Sequence, residues 1–254
     1  EGLRIIKENN IDHADIQVVF SIWEEGGLYG AKYLDYSKLD VDYGFVLDSG
    51  GSPGEIIVKA PAQDAIKVKI TGKPAHAGLQ PENGISAIMV ASRAIENMKL
   101  LRIDKETTAN IGIVKGGVAT NVVMPELEIA AEARSLSEEK LDIQTNHMIE
   151  TFKKAAKEFG AEIDIQVNRA YGPYTIEEND EIVLLAKKAL ANMNITAKTG
   201  STGGGSDTNV LNKNGIKAVN LGIGMKKAHT LEEYIAIEDI YNSAIMVTEI
   251  IKEA

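Results

Sequence analysis

The sequence predicts an α/β protein whose main domain is discontinuous and is interrupted by an inserted α+β domain. Two apolar, β-branched runs, residues 16–22 and 43–47, are typical of buried strands in a mostly parallel sheet with flanking helices. From about residue 64 the pattern changes to alternation, which is typical of a sheet with one exposed face. We therefore assign residues 1–61 and 172–254 to the main domain and residues 62–171 to the insert.

Periodicity and capping predict the remaining elements. The main domain begins with a short helix that ends at Asn9-Asn10, and further main-domain helices and strands are expected at 30–36, 55–58, 181–193, 218–222 and 237–252. In the insert, Ser137 caps a long helix, and the other elements are expected at 64–70, 84–101, 109–115, 126–133 and 162–168. The resulting order β-α-β-β-α-β is that of a ferredoxin-like unit.

Composition excludes several classes of function. The chain has 254 residues, of which 44% are hydrophobic, and its formal net charge is −10. Such an acidic surface repels phosphate backbones and anionic lipid, which argues against nucleic acid or a membrane as the main partner. The absence of cysteine excludes disulfides, thiolate metal sites and cysteine nucleophiles. The first residues show no signal-peptide pattern, and we expect a cytoplasmic protein.

Carboxylates follow both apolar runs of the main domain. Glu24 and Glu25 come after residues 16–22, and Asp48 comes directly after residues 43–47. Because ligand sites of α/β sheets lie at the carboxyl ends of strands, we expect these side chains to lie close together. Adjacent carboxylates favour a cation, and one of them can bind the metal while the other accepts a proton from water. A solvated acidic turn and an ordinary Asp-Ser-Gly turn remain the alternatives.

Two of the four histidines lie in contexts that favour a function. His229 precedes the last helix, and with Glu25 and Asp48 it would form a mixed set suited to zinc, cobalt or manganese. His76 lies between Pro and Gly residues on an exposed turn, where an imidazole can polarise a substrate carbonyl. A surface histidine at a helix entry and a plain loop histidine are the alternatives.

A glycine-rich segment, residues 201–209, is the last candidate. Its glycines allow backbone amides to approach a ligand carboxylate or phosphate. No Gly-Lys-Ser/Thr follows, so the segment is not a Walker loop, and a flexible connector is the alternative.

Taken together and in this order, these motifs resemble the two-metal aminoacylase, carboxypeptidase G and peptidase T family, and most closely its peptidase T-like branch. The resemblance is carried by Glu24–Lys32, Val46–Asp48, Gly72–Gly78, Pro81–Gly84, Gly203–Asp207 and Ala228–Thr230. It spans the whole chain, and it implies a metallopeptidase catalytic domain interrupted by a lid and dimerisation domain. A homodimer formed through that lid is also implied.

The resemblance implies a role for each matching residue. Glu24 resembles the general base, and His76 resembles the lid histidine that reaches the scissile carbonyl. Asp48 resembles a ligand of the first metal, and Glu25 and His229 resemble ligands of the second. The residues that resemble contacts to a substrate carboxylate are Asn121, Arg134, Gly204, Asp207 and Asn209.

The implied reaction is hydrolysis of peptide or related amide bonds of small peptides by a metal-activated water. Two divalent ions are implied, with zinc expected and cobalt or manganese as alternatives. An N-acyl amino acid deacylase of the same family is an alternative enzyme, because spacing does not separate it from an amino- or carboxypeptidase. A non-catalytic dimerisation or binding module and a nucleotide-binding protein that uses residues 202–206 are alternatives of other classes.

The chain also departs from the family pattern before Glu24. The family's upstream His-x-Asp motif and metal-bridging Asp have no counterpart there, since His13-Ala14-Asp15 lies at the wrong end of the predicted strand. Trp23 stands where the family has a small or acidic residue. We therefore expect the chain to be part of a longer enzyme and, by itself, to bind metal poorly and to hydrolyse nothing.

Overall fold

The computed structural model describes all 254 residues and divides into two compact units. The first unit consists of Glu1–Ala60 and Tyr174–Ala254, and the second consists of Pro61–Pro173. A mixed sheet in the first unit and an antiparallel sheet in the second, each with flanking helices, confirm the predicted α/β class. Neither unit contains a helix with both the length and the apolar character needed to cross a membrane.

Seventeen helices and strands, with two short 3₁₀ turns at Tyr36–Lys38 and Pro81–Asn83, make up the two units. In chain order they are α1 (Gly2–Glu8), α2 (Tyr29–Lys32), β1 (Tyr43–Ser49), β2 (Glu55–Ala60), β3 (Ala62–Thr71), α3 (Ala87–Glu96), β4 (Leu101–Arg102), β5 (Thr107–Gly116), β6 (Glu126–Ser135), α4 (Glu138–Phe159), β7 (Glu162–Tyr171), β8 (Tyr174–Thr175), α5 (Glu181–Asn192), β9 (Lys198–Ser201), α6 (Asp207–Lys213), β10 (Lys217–Gly222) and α7 (Ile237–Glu253).

The sheet of the first unit has strands of both directions. Strand β1 runs parallel to β10 and β2 runs parallel to β9, whereas β2 pairs antiparallel with β10 and with β8. The sheet is therefore mixed, with as many antiparallel as parallel pairings. Val58 and Leu221 of this sheet share a core with Leu190 of α5 and Met246 of α7.

Helix α5 shows why the flanking helices form where they do. The Asp180 side chain accepts a hydrogen bond from the backbone N–H of Ile182, which satisfies one of the free donors of the first turn. Ile182, Ala186 and Leu190 are fully buried at intervals of four residues, so one face of the helix packs against the sheet.

The predicted strand at residues 16–22 is wrong. This segment has no regular secondary structure, and its Phe20 and Ile22 side chains are 91% and 75% exposed. A strand must pair its backbone N–H and C=O groups with a neighbouring strand, and β1 pairs with β10 alone. Apolar, β-branched composition indicates that a segment can form a strand, but a partner strand decides whether it does.

The second unit is a five-stranded antiparallel sheet with the strand order β4-β5-β6-β3-β7. The alternation predicted for β3 is confirmed, since Ile66, Val68 and Ile70 are buried and the lysines between them are exposed. The cap predicted for α4 is also confirmed, because the Ser137 hydroxyl accepts a hydrogen bond from the Lys140 N–H. Helix α3 is shorter than the predicted residues 84–101 and ends at Glu96.

A buried ion pair between Asp64 and Arg169 connects strands β3 and β7 of this sheet to helix α4. Asp64 of β3 is 2% exposed and accepts hydrogen bonds from the guanidinium of Arg169 in β7. The Thr145 hydroxyl of α4 donates to the same carboxylate at 2.7 Å. Arg169 also reaches the exposed carboxylates of Glu138 and Asp142, so the buried charge is fully partnered.

Candidate active site

Glu24 and Glu25 lie in a tight turn that precedes α2, and not at the end of a strand. The Glu24 carbonyl accepts hydrogen bonds from the N–H groups of Gly27 and Leu28 at 3.0 and 2.8 Å. Gly30 then donates to the Ile22 carbonyl at 2.8 Å. A Cβ at position 30 would lie 2.4 Å from the Ile22 nitrogen, so only glycine permits this close return of the chain. The turn fixes where the two carboxylates leave the backbone.

Asp48 lies within β1, one residue before its end, and the side chain of Asn220 in β10 reaches its backbone. Asn220 is 4% exposed and hydrogen-bonds to the backbone of Asp48. The sequence interpretation missed Asn220. Its signal was present, because an amide side chain in an otherwise apolar, buried strand needs a polar partner.

His229 lies on the loop before α7 and meets Glu25. Its Nδ1 atom is 3.5 Å from Glu25 Oε2, and both side chains are more than 70% exposed. His229 has a left-handed backbone with φ of 63°, which a non-glycine residue adopts at a cost, and its N–H donates to Glu233. The structure therefore brings together the two residues that the sequence assigns to one metal.

Four carboxylates of the first unit influence one another electrostatically. Burial, followed by the negative charges of Asp48, Glu25 and Asp207, raises the pKa of Glu24 to about 7, and His229 opposes this shift. Burial, followed by Asp207 and Glu25, also raises the pKa of Asp48. Burial and neighbouring negative charge therefore both disfavour the ionised forms of Glu24 and Asp48.

Asp207 is one source of the negative charge that acts on Glu24 and Asp48. It is the first residue of α6 and is 9% exposed, and its Oδ1 atom has no hydrogen-bond partner. An unpartnered, buried carboxylate oxygen is costly, and a cation is one group that would satisfy it. The oxygen and imidazole donors here are those that zinc, cobalt and manganese accept.

The donor chemistry therefore fits a divalent metal, although the ligands are not gathered into a finished coordination shell. No three His, Asp or Glu side chains of the chain are arranged so that together they could hold one ion.

The glycine-rich segment 201–209 is only partly a loop. Its second half begins α6 with a capping box, in which the Ser206 hydroxyl accepts from the Thr208 N–H and Asn209 Oδ1 accepts from the Ser206 N–H. Asn209 is 1% exposed, so its side chain serves the helix start. Asp207 supplies negative charge near Glu24 and Asp48, which does not favour a substrate carboxylate. In the first half, a Cβ on Gly204 would meet no atom closer than 3.9 Å.

In the second unit, the structure pairs His76 with the loop that carries Asn121. His76 forms a β-bridge with Val122, and the Ala77 N–H donates to the Asn121 carbonyl at 2.9 Å. The Gly78 N–H donates to His76 Nδ1 at 3.1 Å. Because Nδ1 accepts this bond, a neutral His76 carries its proton on Nε2, where it is a hydrogen-bond donor.

Arg134, in β6, is held by a neighbouring carboxylate. Its Nε and Nη2 atoms donate to the two oxygens of Glu132, each at 3.0 Å. Glu132 also accepts from the Gln63 side chain. This two-point contact orients the guanidinium plane.

Comparisons with known proteins give the family context of these residues. A family model described as peptidase dimerisation domain matches residues 64–160. The chain is 45% identical over all 254 residues to the uncharacterized protein YqjE of Bacillus subtilis and covers 68% of it.

Two solved structures are similar along the whole chain. The aminopeptidase PepT from Bacillus cereus has 45% identity and a TM-score of 0.92, with all of this chain and 68% of that one covered. A tripeptidase from Staphylococcus aureus has 42% identity and a TM-score of 0.96, with 99% and 67% covered. The chain therefore spans about two thirds of the length of these relatives.

A more distant structure shares the fold. The YXEP protein of Bacillus subtilis, a dinuclear metal-binding peptidase from the M20 family, has 19% identity and a TM-score of 0.74, with 99% of this chain and 68% of that one covered.

Proposed function

This chain belongs to the M20 peptidase family and is a peptidase T-like hydrolase, and from that premise we propose that the full-length gene product cleaves small peptides with bound divalent metal. The observation that carries the proposal is the meeting of Glu25 and His229, 3.5 Å apart, in the same unit as Glu24 and Asp48, whose pKa values are raised by burial and then by neighbouring negative charges. A cation bound beside these carboxylates would offset the cost of holding them ionised, so the folded protein is expected to gain stability when it binds metal.

We assign the metal ligands from these residues. Glu25 and His229, which already lie 3.5 Å apart, hold one ion, and Asp48 contributes to the other. Zinc suits this set of carboxylate and imidazole donors, and cobalt and manganese accept the same donors. A divalent ion bound there would lower the pKa of a water molecule and would polarise the carbonyl group of the substrate.

Glu24 is the proposed general base. It is half-buried, and burial is the largest cause that raises its pKa, to about 7 in the metal-free chain, which strengthens it as a proton acceptor. A carboxylate with an ordinary pKa would be a weaker base, and one with a much higher pKa would already carry the proton. Glu24 therefore accepts a proton from the attacking water and delivers it to the leaving amine.

The second unit supplies groups of a different kind. We propose that His76 donates a hydrogen bond from Nε2 to a peptide carbonyl, since its Nδ1 is already occupied by the Gly78 N–H. Asn121 and Arg134 of this unit are proposed contacts to a substrate carboxylate, and Gly204 is the proposed contact of that kind in the first unit. The match of residues 64–160 to a peptidase dimerisation domain supports a homodimer formed through this unit.

The substrate class follows from the relatives of known activity. One is an aminopeptidase and the other a tripeptidase, so a tripeptide with a free amino end is the proposed substrate. The alternative within the family is an N-acyl amino acid, in which the amino end is blocked.

A substrate panel tests the proposal. The full-length gene product is incubated with tripeptides, dipeptides and N-acyl amino acids, with zinc, cobalt or manganese added. We expect tripeptide turnover by the full-length product. Glu24→Gln is expected to lower kcat by about 100-fold or more, because the general base is lost. Glu178→Gln, an exposed carboxylate outside the candidate site, is the matched control and leaves kcat unchanged.

Three results would contradict the proposal. Glu24→Gln with unchanged kcat would remove the assigned base. A folded full-length product that hydrolyses no member of the panel with any metal would favour a non-catalytic binding module. Turnover of N-acyl amino acids alone would replace the peptidase with a deacylase.

A further inference from the structure

The Asn220 side chain is buried at a point of the first unit where an apolar side chain would be expected. Asn220 is 4% exposed, and its neighbours Val219 and Leu221 are fully buried in the core. A buried amide that lacks partners is costly, so its partners indicate why it is there.

The pairing of β1 and β10 is interrupted next to Asn220. Val46 pairs with Asn220 and Ser49 pairs with Gly222, so two residues of β1, Leu47 and Asp48, lie opposite the single residue Leu221. Such a β-bulge removes ladder hydrogen bonds and changes the direction of the side chains that it carries. The bulge therefore leaves the backbone of Asp48 in need of partners other than the strand ladder.

Asn220 provides those partners from its side chain. Its Oδ1 accepts from the Asp48 N–H at 3.0 Å, and its Nδ2 donates to the Asp48 carbonyl at 3.0 Å. Nδ2 also lies 3.2 Å from the Ser206 hydroxyl, the N-cap of α6. The one amide group thus joins the bulge to the start of the helix that carries Asp207.

We propose that Asn220 is a positioning residue, which fixes the backbone of Asp48 in the bulge and couples it to the N-terminus of α6. Through these bonds it sets where the carboxylates of Asp48 and Asp207 point. An aliphatic residue in its place would leave the Asp48 N–H and C=O unpaired, and aspartate would lose the donor. The assignment of Asp48 as a metal ligand rests on the proposed function, whereas the two hydrogen bonds from Asn220 to the Asp48 backbone do not.

Asn212 offers a matched control. It makes the same two-point contact with a β10 backbone, since its Oδ1 accepts from the Ala218 N–H at 3.2 Å and its Nδ2 donates to the Ala218 carbonyl at 2.8 Å. It also donates to the Thr208 carbonyl. Asn212→Ala therefore removes bonds of the same kind from the backbone of β10, the strand that pairs with β1, without touching Asp48.

Two measurements on the full-length protein test the inference. The first is hydrogen exchange at the Asp48 amide in metal-free protein, resolved by mass spectrometry with fragmentation. We expect Asn220→Ala to speed this exchange about tenfold or more, which corresponds to the loss of one hydrogen bond. The second is the affinity for zinc or cobalt ions by calorimetry, which we expect to fall 10- to 100-fold, as for other groups that orient metal ligands. Asn220→Ser is a milder second variant in case the alanine variant does not fold.

The Asn212→Ala control distinguishes positioning of Asp48 from a general loss of stability. Asn212→Ala is expected to lower stability without changing Asp48 exchange or metal affinity, because a merely structural loss affects unfolding alone. Unchanged Asp48 exchange in the folded Asn220 variants would overturn the inference, as would an equal loss of metal affinity in Asn212→Ala. A wild-type protein that binds no divalent metal would contradict the proposed function, and exchange in the metal-free protein would still decide whether Asn220 holds Asp48.

Discussion

Replacing Glu24 with glutamine should stabilise the metal-free protein at alkaline pH. The pKa of Glu24 is raised from 4.5 to about 7 in the folded chain, chiefly by burial and then by Asp48, Glu25 and Asp207. The folded state therefore binds the Glu24 proton more tightly than the unfolded state does. Stability contributed by this protonated group is present below pH 4.5 and is lost as the pH rises to about 7.

The size of the effect follows from the same values. The difference between 4.5 and about 7 corresponds to at most ~3 kcal/mol of unfolding free energy. Glu24 is only partly buried, and solvent and salt screen its neighbours, so we expect about 1–2 kcal/mol. Glutamine has nearly the same shape and no charge, so it avoids the free-energy cost of ionising a half-buried carboxylate at every pH.

Urea unfolding followed by circular dichroism, with a chelator present, measures the prediction. The unfolding free energy of wild type and of Glu24→Gln is compared from pH 4 to pH 8.5, with Glu178→Gln as the control for loss of an exposed carboxylate. We expect the two curves to separate between about pH 5 and 7, with the variant more stable above that range. A difference that does not change with pH, or a less stable variant at pH 8, would refute the electrostatic reasoning.

Two further predictions concern the two units separately. Asp64→Asn should lower the unfolding free energy of the second unit by about 2–4 kcal/mol in urea, because Arg169 loses its buried charged partner. The control is Glu138→Gln, at the exposed end of the same network, which should lower it by less than ~1 kcal/mol. Similar losses for both would show that burial of Asp64 does not matter. Gly30→Ala should destabilise the first unit by about 1–3 kcal/mol, because the added Cβ would lie 2.4 Å from a backbone nitrogen, and an unchanged midpoint would contradict this contact.

Patterns within a few residues predicted most of the second unit. The alternation of Ile66, Val68 and Ile70 predicted which face of β3 is buried, and Ser137 predicted where α4 begins. The order of these elements predicted four of the five strands of the sheet, and the short edge strand β4 was not predicted. These patterns act locally, since side-chain period and helix capping depend on the nearest neighbours along the chain.

The candidate site was only partly predictable. The motifs singled out Glu25 and His229, which the structure places 3.5 Å apart. They did not predict that Asp207 begins a helix and lacks a partner for one carboxylate oxygen, or that residues 16–22 remain without a paired strand. Those features depend on which segments come together.

The sequence by itself determined the available side-chain chemistry, which is carboxylates and histidines without cysteines, the presence of an α+β insert, and the motifs of a metallopeptidase family. The tertiary structure decided which strands pair, how much the pKa of Glu24 rises, and how Asp48 is held. The physical reason is distance along the chain. Asp48 and Asn220 are 172 residues apart in sequence, and only folding brings the amide of one to the backbone of the other.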